Sequence, residues 1–249
     1  MMILPFTRYV VMLTKKVIPG RLTVTEERSS KFLDERFLRT PFMAISQAAK
    51  EVDRIANIAL KMFDLAKQAM LKKDENAVKE VFENEDLLDD LCYYAENYLD
   101  KIPINELSNA EFQKHIKLIH AITDIERTGD LSNNIAVSAL DRIEKNKEFT
   151  KLAEEELDIM FKKVRLAYKD SIEALRKEDK GLAQKAMKLE DQIDGLEKKF
   201  KRSHIRRLKQ GACDIKADVI FVDTLRNLER IGDHADNIAS SVITNFLKS

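Results

Sequence analysis

The feature that most constrains this chain is a motif that occurs twice in one register. LERIGDHADNIA occupies residues 228–239, and IERTGDLSNNIA occupies residues 125–136. Glu126 and Glu229 stand 103 residues apart, as do Asp130 and Asp233. Arg127 and Arg230, Gly129 and Gly232, and Asn134 and Asn237 keep the same step. A glutamate and an aspartate four residues apart lie one turn apart on one face of a helix. Like charges at that spacing repel, so each pair calls for a counter-charge, either an arginine or a metal ion.

A motif repeated at such a distance implies a repeated structural unit. Apolar residues recur at three- and four-residue steps from Ile45 through Val52, Ile55 and Met62 to Ala69, which predicts a helix ending near residue 73. A second helix carries Val78, Val81, Phe82, Leu88, Cys92 and Leu99 and stops near Ile102 and Pro103. Ser108 and Glu111 form a capping box for a third, which holds Phe112, Ile116, Ile119 and Ile122 before reaching Glu126 and Asp130. Near Asn146 the scheme restarts, with helices expected over about 149–177, about 180–209 and from Gly211 onward. The expected fold is all-α, with two tandem antiparallel three-helix bundles side by side, 32–146 and 147–249, preceded by a separate segment, 1–31. Six glycines, four prolines and 35% charged residues suit long amphipathic helices better than sandwiches or barrels.

The duplication yields two further acidic pairs. Glu85 and Asp89 lie in the second helix, and Glu190 and Asp194 in the fifth, 105 residues on. Each half therefore carries two E-x-x-x-D pairs, on its second and third helices. By helical spacing, Glu126 and Asp130 continue the stripe of Ile119 and Ile122, and Glu229 and Asp233 that of Val219 and Val222. A charge bordering a core is costly unless it is paired or bound to metal. Two readings follow: boundary carboxylates paired with Arg127 and Arg230, or oxygen ligands for hard cations. Four pairs obeying one duplication favour the second, with iron, magnesium, manganese, calcium or a carboxylate-bound zinc as the ion. No cysteine or histidine spacing near the pairs suits a structural zinc site. A di-iron oxidase would need Glu-x-x-His. The residues three before His115, His120, His204 and His234 are Phe112, Lys117, Lys201 and Ile231, so that enzyme class is disfavoured. The histidines are expected at the surface or behind ligands, and His234 stands out because it adjoins Asp233.

Other chemistries find no support. No P-loop, GxGxxG or GxSxG occurs. Lysine plus arginine equals aspartate plus glutamate, 43 against 43, which gives no global field toward nucleic acid. Cys92 and Cys213 sit alone and read as small core residues of a reducing compartment. The basic run at 198–207, KKFKRSHIRR, reads as a solvated helix face, with contact to anionic lipid as the lesser reading. Residues 1–20 are apolar but interrupted by Arg8, Lys15 and Lys16, too broken to span a bilayer; an interfacial membrane contact is the expectation.

These residues resemble the PhoU-like proteins, regulators of phosphate transport. The match is close in LERIGDHADNIA and weaker in IERTGDLSNNIA, where Thr128 and Leu131 depart from the usual pattern. The resemblance implies metal clusters on two three-helix bundles, with Glu85, Asp89, Glu126, Asp130, Glu190, Asp194, Glu229 and Asp233 as ligands. LDERFLRTPFMAISQAAKEVDRIA, starting at Leu33, is similar to the entry of the cytoplasmic PhoU-like domain that ends bacterial sodium/phosphate cotransporter-family proteins. ILPFTRYVVMLTKKVIP, starting at Ile3, is similar to the end of that family's last membrane segment. The expectation is a non-enzymatic, metal-binding regulator of phosphate uptake at the cytoplasmic membrane face. Its partner would be a transporter membrane domain, and self-association into a homo-oligomer stays open. A carboxylate metalloenzyme and a metal-free helical adaptor are the rivals.

Overall fold

The computed structural model describes residues 30–210 and 215–246. Residues 1–20 and Cys213 lie outside that range. Six long helices carry the chain: α1 (Pro41–Lys72), α2 (Glu75–Asp100), α3 (Asn109–Glu144), α4 (Lys151–Lys177), α5 (Lys180–Lys209) and α6 (Ile215–Ile243). No strand occurs among the described residues. Helices α1, α2 and α3 pack on one another, as do α4, α5 and α6. The two triplets join along α3 against α6 and α1 against α4.

The turns show why the halves match. Lys73 and Glu178, 105 residues apart, both adopt the left-handed conformation that ends a helix, with φ of 56° and 53°. The residue after each is an aspartate that caps the next helix. Asp74 accepts from the amides of Asn76 and Ala77, and Asp179 from those of Gly181 and Leu182. The third helix begins at the expected capping box, Ser108 with Glu111.

The core runs through both halves as one cluster that includes Ile55, Met62, Leu88, Ile122, Ile125, Phe161, Leu225 and Ile231. Phe63 and Phe161 meet edge to face across the two halves at 5.5 Å between ring centres. Arg142 is fully buried and donates to the Met70 carbonyl and to Glu154, while its guanidinium stacks over Phe149 at 3.9 Å. On the α1–α4 side, Arg165 grips Asp64 with two bonds of 2.7 and 2.8 Å.

Several expectations need correction. Val219 is exposed, and the core stripe of α6 instead runs through Phe221, Leu225, Leu228, Ile231 and Ile238. The carboxylate pairs therefore flank the core stripe rather than interrupt it. His115 and His204 are buried rather than superficial: His115 meets the Leu99 carbonyl at 3.0 Å, and His204 stacks on Phe221. The basic run is not wholly a solvated face. Arg207 is buried, pairs with Glu156 at 2.7 Å and approaches the Phe221 ring, whereas Ile205 is half exposed. Residue 31 is also not free of the first bundle. Glu51, wholly buried on α1, accepts the amides of Lys31 and Phe32 at 3.0 and 2.9 Å.

Candidate metal centre

Two glycines set the spacing of the acidic helices. A methyl group at Gly129 would lie 2.1 Å from Cδ2 of Leu88, and one at Gly232 would lie 3.2 Å from Ile193. The missing side chains let α3 settle against α2, and α6 against α5. Each contact partner directly precedes an acidic residue: Leu88 precedes Asp89, and Ile193 precedes Asp194. Each glycine likewise precedes one, Asp130 or Asp233. Close packing in the core thus forces carboxylates together at its edge.

In the second half the outcome is a compact triad. Glu190 and Asp194 from α5 and Asp233 from α6 each offer a carboxylate oxygen, and these oxygens lie within 4.8 Å of one another. Glu190 feels this most. Partial burial, then Asp194, Asp236, Asp233 and Asp191, push its carboxyl up to about 7. Glu229, one turn before Asp233, is half-buried and also raised, first by burial and then by Asp233, Glu197 and Asp194. Asp233 is raised by burial and Asp194, against the opposing influence of His234. Lys198 takes part of the charge, 3.2 Å from Asp194.

The first half has the same residues but a looser grouping. Burial raises Asp89, with Asp130 and Glu126 adding to it, and burial and Asp130 raise Glu126. Arg127 pairs with Asp130 at 3.2 Å, which realises the arginine reading at that position. Glu85 is half-buried beside this face. Among the described residues, no three carboxylates of this half converge as the second-half triad does. Thr128, the departure from the motif, is fully buried and donates its hydroxyl to the Asp124 carbonyl at 2.9 Å.

Sequence reasoning missed the partner of His234. Its Nδ1 lies 2.8 Å from Asp124 on α3, which also accepts from Asn237 at 3.1 Å. This links the two halves next to Asp233. A separation of 110 residues leaves no local signal for it.

Clustered, partly desolvated carboxylates with raised protonation suit a hard cation that replaces both the protons and the repulsion. The PhoU domain profile matches the chain twice, over residues 52–139 and 157–242. The chain belongs to the PhoU family. The two matched stretches cover the two halves and include all eight acidic positions. The chain is 29% identical over 198 residues to a Thermotoga maritima protein named phosphate-specific transport system accessory protein PhoU homolog 1, covering 78% of this chain and 83% of that one. It is 21% identical over 244 residues to the "Putative inorganic phosphate export protein YjbB" of Salmonella typhimurium, covering 96% of this chain but only 44% of that protein. The PhoU crystal structure from Pseudomonas aeruginosa superposes with a TM-score of 0.77 at 20% identity, covering 83% of this chain and 98% of that one. The PhoU of Streptococcus pneumoniae follows at 0.74 and 17%, covering 82% of this chain and 95% of that one. These likenesses establish the PhoU fold. No helix among the described residues is long and apolar enough to cross a membrane.

Proposed function

We propose that this PhoU-family chain is a non-enzymatic, metal-binding regulator of phosphate transport, acting at the cytoplasmic membrane face on, or as part of, a sodium/phosphate cotransporter-type protein. The carrying observation is the triad of Glu190, Asp194 and Asp233, assembled by the Gly232–Ile193 contact. Glu229 completes that ligand set, and Glu85, Asp89, Glu126 and Asp130 form its counterpart in the first half. Iron, manganese, magnesium or zinc would each find only oxygen donors there. Alignment of almost the whole chain with less than half of YjbB supports a role beside a larger transport protein. Residues 1–20 supply the membrane contact.

The test is elemental analysis of protein purified without chelator or affinity tag, repeated on Glu229→Gln/Asp233→Asn. Phosphate flux is then measured in cells carrying the wild-type gene or that variant. Metal that falls in the variant, together with altered flux, supports the reading. Wild-type protein without metal above background removes the metal part, and unchanged flux removes the regulatory part.

A further inference from the structure

The charge balance of the whole chain, 43 against 43, conceals an uneven distribution. A cleft of about 860 Å³ opens between α1, α2, α3 and the end of α4. Seven lysines and arginines line it, against two carboxylates. Lys50, Arg54 and Lys61 come from α1, Lys114 and Lys117 from α3, and Arg176 from α4. The floor is apolar, with Val52, Leu118, Ile172 and Leu175. None of the eight acidic positions of the candidate metal centre lines it.

The wall is held in place from below. Buried Glu51 accepts both amides of residues 31 and 32 and the Arg54 guanidinium, the last at 2.6 Å. The carboxylate that neutralises Arg54 thus also fixes Lys31 and Phe32 at the rim. Lys61 and Lys114 reach their carboxylate partners, Glu80 and Glu178, only at 3.9 Å, and no ion pair involves Lys50 or Lys117 among the described residues. Cations lining one cleft repel one another, and an anion between them relieves that repulsion. The volume falls within the roughly 300–1,000 Å³ of small-molecule sites, which combine apolar walls with a few placed polar groups.

We propose that this cleft binds a soluble organic phosphate of nucleotide size, its phosphoryl oxygens met by Lys50 and Lys117 and its planar or apolar body laid on Phe32, Leu118 and Leu175. The inference stands apart from the metal centre, because the cleft's chemistry is cationic and its residues are different. A lipid surface fits less well, since the cations converge into a concavity instead of spreading over a face. Inorganic phosphate alone would leave the apolar floor uncovered.

The experiment is calorimetric titration of the full chain with ATP in EDTA, so that no bound metal can hold the phosphates. Inorganic phosphate, and phosphatidylglycerol vesicles by co-sedimentation, form the other arms. Saturable ATP binding at one site per chain is expected, weakened about tenfold or more in Lys50→Gln/Lys117→Gln through loss of charge-assisted bonds. Lys61→Gln/Lys114→Gln should weaken it as well. Lys188→Gln/Lys199→Gln, exposed on α5, should bind like the wild type. Circular dichroism confirms that each variant is folded. The proposal is overturned if ATP does not saturate, if the α5 variant loses as much affinity as the cleft variants, or if only vesicles or inorganic phosphate bind.

Discussion

Glu190 bears a large share of the electrostatic strain of the acidic cluster. Its carboxyl titrates near 7 in the folded chain, against 4.5 for an ordinary glutamate. The folded state therefore holds a proton there that the unfolded state has released, and stability falls as pH rises between these values. Metal-free protein should lose melting temperature steadily from about pH 4.5 to about pH 7, and Glu190→Gln should flatten that slope and melt higher at pH 7.5. A parallel pair of pH curves for wild type and variant would refute this. The glycines give a second test at the same scale. A methyl at Gly129 collides with Leu88, whereas at Gly232 Ile193 needs to yield only a few tenths of an ångström. Overpacking costs about 1–3 kcal/mol, and replacing helical glycine by alanine returns about 1 kcal/mol. Gly129→Ala should therefore melt below wild type, and Gly232→Ala close to it. Equal melting temperatures for the two would contradict the contact argument. The convergence of Glu190, Asp194 and Asp233 was foreshadowed because the spacing of the acidic pairs is local and their register is repeated. The Asp124–His234 bond was not, because it joins residues whose neighbourhood only the packing of α3 on α6 creates.

At the scale of elements, helix ends were read well and helix faces less well. Capping chemistry is a matter of three or four consecutive residues, so Ser108 with Glu111 announced α3, and α5 starts at Lys180, where the helical spacing put it. Asp179→Ala should lower stability by about 1 kcal/mol, through loss of its bonds to the Gly181 and Leu182 amides. Denaturant unfolding measures it, and an unchanged midpoint would mean that the cap contributes nothing. Faces depend on which neighbours a helix meets, and these helices meet partners on more than one side. Helix α3 packs on α1, α2 and α6, so its buried surface is wider than one apolar stripe and takes in His115, Thr128, Ser132 and Arg142. Helix α6 likewise meets α3, α4 and α5, and Val219, in register with the expected stripe, points outward. Glu51 escaped notice for the same reason: a carboxylate beside Val52 gives no sign that it will be sealed under residues 31 and 32.

For the whole molecule, the duplication gives two acidic faces of equal composition but unequal geometry, and this predicts two classes of metal site. In the second half, three carboxylate oxygens from two helices already lie within 4.8 Å of one another. A cation arriving there removes their repulsion and displaces the Glu190 proton and the Lys198 ammonium at Asp194, with the carboxylates already converged. In the first half, Arg127 occupies Asp130, and a cation must displace that partner before the carboxylates can converge. The triad should therefore fill first, with an affinity that falls as pH drops below about 7, where Glu190 is protonated. Manganese titration followed by spin resonance should resolve a tight class that Glu229→Gln/Asp233→Asn removes and a weaker class that Glu126→Gln/Asp130→Asn removes. Each variant should lose roughly half the ions bound at saturation if the sites act independently. Arg127→Ala should narrow the gap between the classes. A ligand that binds only the folded chain adds about 2.7 kcal/mol at one hundred times its Kd. Chelation should accordingly lower the melting temperature of the wild type strongly and that of the Glu229→Gln/Asp233→Asn variant much less. If either double substitution abolishes all binding, the two halves share one centre, and the independence implied by the duplicated register is wrong.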